Sequence, residues 1–362
     1  MTGLIVHEWI AQHGGSENVL DAMTATFPDA ELRALWNEAP GRFPRVEESW
    51  LASTPLRRSK AAAVPFMPPT WRAWTTEGHD WVLVSSHLFA HHVGRPGGPP
   101  KFVYVHTPGR YIWTPEDDAR GNHPIARLLA PGLRRLDKRR AAEGAAFAAN
   151  SAFVRDRIRA TWDQDAIVIH PPVRVDLLQG VMWADRLSGH EAATLDDLPR
   201  HFILGASRFV DYKRLDLAIR AGEASGMPVV LAGAGPQRGE LATLASEASV
   251  PVVIVDRPSD ELLFALFQRA ALFVFPPVED FGIMPVEAMA LGTPALVNPR
   301  GGARESVEAL AGGAVFESTS VADLRRGVEL ALGADMRAAG AAASAAFGEA
   351  AFGTRLKRWM NL

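Results

Sequence analysis

Two glutamates, Glu279 and Glu287, stand eight positions apart around the stretch Asp280-Phe281-Gly282-Ile283-Met284-Pro285-Val286. The apolar run before them reads as a buried strand. The run after them reads as a helix, and Pro285 suits its first turn. Gly282 lets backbone approach a ligand closely, and the N–H groups of Gly282, Ile283 and Met284 would form an anion-binding helix start. One carboxylate at the loop mouth and one early in the helix suit a grip on two hydroxyl-bearing parts of one ligand, such as a sugar and a ribose. Either glutamate alone reads as solvated surface; the order strand, acid, Phe-Gly, helix, acid carries the signal. A second constellation is cationic. Arg208 ends a buried strand, and Lys213 follows five positions later at the next helix start. Arginine clamps a phosphate in bidentate fashion and lysine adds a point charge, so together they could neutralise a pyrophosphate leaving group. Alone, each reads as a surface cation.

Two further groups lie in the first half of the chain. Val6-His7-Glu8-Trp9 is followed by Gly14-Gly15-Ser16-Glu17. A glycine pair between a first strand and a first helix suits close approach to phosphate or acceptor, Gly15 in particular; the plain alternative is a tight turn with Ser16 as helix cap. Tyr104-Val105-His106-Thr107-Pro108-Gly109-Arg110-Tyr111-Ile112-Trp113 follows another strand. Its polar and aromatic density suggests a cleft wall, with Arg110, Tyr111 and Trp113 as acceptor-side candidates. A lone His106 would more often be structural. Other patterns fail on spacing. Gly233-Ala234-Gly235-Pro236-Gln237-Arg238-Gly239 has one residue too many for a dinucleotide fingerprint, and His7-Glu8 with His13 is not a metalloprotease pair. Asp163-Gln164-Asp165 reads as a helix-to-strand turn. No Walker loop and no G-x-S-x-G occur.

The elements that must position these residues alternate in type. Candidate strands are 4–7, 81–85, 101–105, 147–150 and 166–170, then 202–206, 229–232, 252–255, 272–275 and 295–297, with helical patterns between them. Short runs rich in Val, Ile, Leu and Phe suit parallel sheets covered on both faces. His170-Pro171-Pro172 breaks the series, and the polar stretch 174–200 is the expected hinge. The expected architecture is α/β, with two Rossmann-like doubly wound domains facing a central cleft: 1–173, then 174–346, with an amphipathic helix 347–362 packing back on the first. A chain of 362 residues is of the right length for two such domains. A net charge of −3 argues against a dedicated nucleic-acid binder, and the absence of cysteine excludes disulfides, thiolate metal sites and a cysteine nucleophile. The opening MTGLIVHEW is too short and lacks the basic leader of a signal peptide, so a cytoplasmic protein is expected.

Taken together, these pieces resemble the family-4 group of retaining glycosyltransferases, whose two-domain fold is termed GT-B. The resemblance covers nearly the whole chain. Glu279 to Glu287 looks like that family's Glu-x7-Glu motif, and Arg208 with Lys213 looks like its diphosphate-binding pair. Asn150-Ser151-Ala152-Phe153 and Pro171-Pro172-Val173 match its usual course. His7-Glu8-Trp9 with Gly14-Gly15-Ser16-Glu17, and His106-Thr107-Pro108 with Arg110, Tyr111 and Trp113, are similar to a mannosyltransferase subgroup that builds surface polysaccharides and glycolipids. Asp256 stands where the family usually has glycine, in a loop near the nucleotide base.

The resemblance implies transfer of a hexose, with mannose from GDP-mannose favoured, to a saccharide, lipid-linked or small-molecule acceptor. It implies that Arg208 and Lys213 stabilise charge on the leaving diphosphate. Gly15 and the helix start at Gly282, Ile283 and Met284 supply backbone donors, Glu279 holds sugar hydroxyls, and Glu287 holds the ribose. His106 lines the reacting face, no metal or other cofactor is needed, and the anomeric configuration is retained. UDP-, ADP- or dTDP-sugars are the alternative donors. From other classes, an NAD-linked oxidoreductase and a non-catalytic sugar-nucleotide binding protein compete. Arg127, Arg134, Arg135, Lys138, Arg139 and Arg140, interleaved with Ile125, Leu128, Leu129, Leu133 and Leu136, would allow peripheral contact of residues 125–140 with the inner face of a membrane; a solvated helix face is the plain alternative.

Overall fold

The structure is a computed structural model that describes residues 2–12, 14–114 and 124–362, the side chains of Tyr111 and 124–129 excepted. The chain forms two compact units, residues 1–172 with 352–362, and residues 173–351.

Unit 1 holds a parallel sheet of seven strands: β1 (Gly3–His7), β2 (Glu31–Ala34), β3 (Glu47–Glu48), β4 (Trp81–Ser86), β5 (Lys101–Val105), β6 (Ala146–Ala149) and β7 (Ile167–Val168). Their order is β3-β2-β1-β4-β5-β6-β7. Unit 2 holds a parallel sheet of six: β8 (Ile203–Arg208), β9 (Val229–Ala234), β10 (Val252–Asp256), β11 (Leu272–Phe275), β12 (Ala295–Val297) and β13 (Gly313–Val315), in the order β10-β9-β8-β11-β12-β13. Every residue of β1, β4 and β11 is buried, because helices cover both faces of each sheet. Both orders run outward in one direction from the first strand and then restart beside it. That reversal leaves a crevice at the carboxyl ends of β1 and β4 in unit 1, and of β8 and β11 in unit 2.

All ten expected strands are present. β2, β3 and β13 were not expected: each is four residues or fewer, and Glu31, Glu47 and Glu48 are exposed, so no apolar run marks them. One expectation is corrected. The stretch 174–200 is not a hinge: it holds the helices Val175–Leu178 and Gly189–Asp196, the latter started by a capping box of Ser188 and Glu191. Val175, Leu178, Leu195 and Leu198 are buried in unit 2, and the chain passes between units at Pro172–Val173. These helices are too short to show a period, so the stretch reads as irregular. The Ala-rich stretch 334–346 and the tail 347–362, each expected as a helix, are the helices Met336–Phe347 and Glu349–Met360. Gly348, at φ −67° and ψ 159°, ends the first. Phe347 packs on Phe281 in unit 2 with ring centroids 5.7 Å apart. Only from Phe352 onward does the chain join unit 1, where Phe352, Leu356 and Met360 are buried with Leu20, Met23 and Tyr104.

Candidate functional site

In unit 2 the crevice collects the residues singled out above. Arg208 is the last residue of β8 and is exposed; its Nη2 donates to the Tyr212 hydroxyl at 2.7 Å. Lys213 follows on the turn Asp211–Lys213, is only 8% exposed, and lies 5.9 Å from the Phe275 ring centroid. Its ammonium forms an ion pair with Glu279. So 66 residues of separation close into one contact, which joins the loop after β8 to the loop after β11. The Glu279 loop is held from behind: Gly302 N–H donates to the Glu279 carbonyl at 2.9 Å, and a Cβ on Gly301 would sit 2.7 Å from that oxygen.

Gly282 caps the helix Ile283–Ala290 in the left-handed region at φ 85°, where a side chain would be strained. No side chain caps this helix, and Pro285 brings no N–H of its own. The first-turn donors are therefore Ile283 and Met284, both half-buried. One turn on, Glu287 is half-buried. Burial, with Asp260 nearby, pushes its carboxyl up to about 7. A carboxyl in this state is primed for a partner that donates hydrogen bonds. At the far side of the same sheet, Asp256 ends β10 and pairs with Arg238 Nε at 2.9 Å, and Arg257 takes a left-handed φ of 48°.

In unit 1 the crevice is lined by histidines. His7 ends β1 and Ser85 lies in β4; His7 Nδ1 is 2.9 Å from Ser85 Oγ, which is 2.8 Å from His106 Nε2. One hydroxyl donates to one ring and accepts from the other. His87, just after β4, packs edge-on against Trp9 at 4.6 Å. Burial holds the imidazoles of His7 and His106 down at about 3, and that of His87 well below the usual range, so all three are neutral near pH 7. Glu8 fixes the loop that carries His87: its Oε1 accepts from the N–H groups of Leu88 at 2.8 Å and Ala90 at 2.7 Å. Gly15 opens the helix Gly15–Thr26 behind the cap Gly14, so Ser16 is not the cap. The Glu17 carboxylate folds over this turn, accepting from Ala11 N–H at 3.0 Å and from Ser16 Oγ at 2.8 Å.

The acceptor-side candidates divide. Arg110 opens the helix Arg110–Trp113 and is half-buried. The Tyr111 side chain lies outside the described residues. Trp113 is half-buried, and its indole N–H donates to buried Asp137 at 2.7 Å. Asp137 also accepts from Trp162 Nε1 at 2.7 Å and His92 Nε2 at 3.0 Å, with His91 Nε2 at 3.1 Å. His91, His92 and Asp137 are of metal-ligand type, but the carboxylate oxygens here are engaged by indole and imidazole nitrogens, which suits a hydrogen-bonded hub. Burial alone would raise Asp137; the two imidazoles outweigh it and hold the carboxyl below the ordinary range. His87 was missed by sequence reasoning, although its place directly after a buried strand at the crevice was an available signal; Lys60 lies in the stretch 42–72, whose unusual sequence marks it as a place where an acceptor could be read.

Residues 191–347 match the family model described as glycosyl transferases group 1. Among curated proteins, an uncharacterized glycosyltransferase of Methanocaldococcus jannaschii is 31% identical over 133 residues, which is 35% of this chain and 34% of the relative. The match thus spans about a third of that relative's length. Among solved structures, Anabaena HepE in complex with UDP superposes with a TM-score of 0.71 over 100% of both chains at 17% identity. The sucrose-phosphate synthase of Thermosynechococcus elongatus gives 0.70 at 16% identity, over 100% of this chain and 98% of that one. WaaG, a glycosyltransferase of lipopolysaccharide biosynthesis, gives 0.65 at 13% identity over 100% of both. The shared architecture is the GT-B fold.

Proposed function

We propose, for a chain whose residues 191–347 match the model of group 1 glycosyl transferases, that the protein transfers a hexose from a nucleoside-diphosphate sugar to an acceptor with retention of configuration. The observation that carries the reading is the Lys213–Glu279 pair at the carboxyl ends of β8 and β11, beside the uncapped N–H groups of Ile283 and Met284. A diphosphate placed there meets a desolvated ammonium, the Arg208 guanidinium and two backbone donors. That is the arrangement that stabilises charge on a departing diphosphate, where fixed dipoles act most strongly. Glu279 both holds Lys213 and offers its second oxygen to sugar hydroxyls. Glu287 receives a ribose hydroxyl, whose hydrogen bond replaces the water its carboxylate lacks. With Lys213 and Arg208 neutralising the diphosphate, the chemistry assigned to these residues needs no metal ion. In unit 1, Gly15 is assigned as a backbone donor to the nucleotide sugar, His106 to the reacting face near the donor sugar, and Arg110 to the acceptor.

GDP-mannose is the favoured donor, on the motifs at residues 7–17 and 106–113. UDP-glucose is the second reading, supported by HepE, which has been crystallised with UDP-glucose on the same fold. Among the described residues no helix is long and apolar enough to cross a membrane. Peripheral contact through the helix Pro124–Ala141 is part of the proposal: Arg135, Lys138 and Arg139 are exposed on it, while the side chains of Ile125, Arg127, Leu128 and Leu129 lie outside the described residues. The experiment is calorimetric titration with GDP, UDP, ADP and dTDP in the presence of EDTA. Selective GDP binding supports the mannosyl reading, and selective UDP binding moves the donor to a UDP-sugar. Binding of none refutes the site.

A further inference from the structure

We infer that the unit 1 crevice is an oxyanion receptor, so that the acceptor of the proposed transfer carries a phosphate or carboxylate recognised by Lys60 and His87. The inference rests on the glycosyltransferase reading for the word acceptor, but the receptor itself stands on unit 1 alone. Its centre is Trp9, 6% exposed and stacked on Trp36 with ring centroids 5.6 Å apart. The Lys60 ammonium lies 4.7 Å from the Trp9 ring centroid, and the His87 ring meets the same indole edge-on. The indole thus brings a permanent cation beside a neutral imidazole. Lys60 has no carboxylate within ion-pair distance among the described residues; an aromatic face holds it in place.

Among the described residues, the buried His87 Nδ1 and His7 Nε2, like Glu8 Oε2 beside them, lack a protein partner. Buried nitrogens of this kind are normally satisfied, so each calls for a water or a ligand atom. Glu17 serves Ala11 and Ser16, and Glu8 serves the backbone of the 88–90 loop, with its second oxygen buried and its carboxyl raised by burial to about 7. A cation with no carboxylate partner among the described residues, next to a neutral imidazole whose unpartnered Nδ1 can carry the proton and donate it, suits a negatively charged oxygen group. A neutral saccharide would leave Lys60 uncompensated. The crevice lies at the reversal of strand order between β1 and β4, where parallel sheets of this kind bind ligands.

The test follows the side-chain nitrogens of histidine by NMR in the full-length protein labelled at histidine, with His87 assigned through His87→Asn. Glucose, glucose 6-phosphate and glucuronate are titrated in turn. Vesicles of phosphatidylcholine with and without phosphatidic acid are then added, and Lys60→Gln and Lys60→Arg are run in parallel. The expected result is a His87 shift with the anionic ligands and none with glucose, weakened about tenfold or more in Lys60→Gln and largely kept in Lys60→Arg. A response to the soluble anions identifies a soluble acceptor, and a response confined to phosphatidic acid identifies a lipid headgroup; either supports the receptor. An equal response to glucose, the same affinity in Lys60→Gln, or no response to any anion overturns it. Nucleotide titration of the same samples reports on unit 2, so failure of the donor site and failure of the anion receptor are read separately.

Discussion

Replacing Lys213 by methionine removes the ammonium but keeps most of the side chain's bulk. Its consequences separate a structural ion pair from a catalytic one. The Lys213 and Glu279 side chains are 10% and 26% exposed, between a surface pair and a buried one. Exposed pairs contribute about 1 kcal/mol or less, and stripping one partner from a buried pair costs about 3–5 kcal/mol. Lys213→Met should therefore lower the unfolding free energy by about 2 kcal/mol, because Glu279 is left partly desolvated without its counter-charge. In Lys213→Met/Glu279→Gln the stranded charge is gone, and most of that loss should return. Activity should not return. If the ammonium stabilises the departing diphosphate, turnover falls by about 10²-fold or more in both variants, the scale measured when one oxyanion donor is removed. Urea denaturation gives the first quantity, and release of nucleoside diphosphate from the selected donor gives the second. Recovery of turnover together with stability in the double variant would refute the catalytic assignment, as would near-normal turnover in Lys213→Met.

Asp137→Ala strips the shared acceptor from Trp113, Trp162 and His92 and should cost about 3–5 kcal/mol, by stranding buried N–H groups as well as opening a gap. A drop below about 1 kcal/mol in chemical denaturation would mean that water replaces the carboxylate. Gly282→Ala forces a side chain into φ 85° with its Cβ 3.0 Å from Ala303 Cβ, so a loss of about 1–2 kcal/mol is expected together with weaker nucleotide binding. Unchanged affinity would dissociate the helix start from the diphosphate. Glu287 carries a sign that can be checked. Its folded-state pKa of about 7 lies above the unfolded value, so the folded state holds the proton more tightly, and stability falls as pH rises between about 4.5 and 7. Glu287→Gln should thus gain stability over the wild type at about pH 8, by up to about 3 kcal/mol, and little at about pH 4. A constant difference across that range in denaturant melts would refute the assignment.

Much of the fold was legible because parallel strands buried on both faces need unbroken apolar runs. GLIVH in β1, LFVF in β11 and VVLAGA in β9 declare themselves against any background. The unit 2 site was legible for a related reason. Its residues sit directly after such strands, so Arg208, Lys213, Glu279, Gly282 and Glu287 could each be placed at a carboxyl end from order along the chain. Sequence order could not say that Lys213 and Glu279 touch, since their contact depends on β8 and β11 being neighbours although β9 and β10 intervene in the chain.

The sequence by itself determined the α/β class, the positions of ten strands that lie in apolar runs and the types of group at the strand ends, all of which follow from local pattern. Strand order was decided by packing. So was the fate of individual polar side chains. Trp113 reads on paper as a cleft aromatic, yet folding gives its N–H to Asp137, 24 residues away. Folding sets Lys60 over Trp9, 51 positions earlier in the chain. A side chain's chemistry is set by its neighbours in space, and neighbours far apart in sequence become known only once the sheets are assembled.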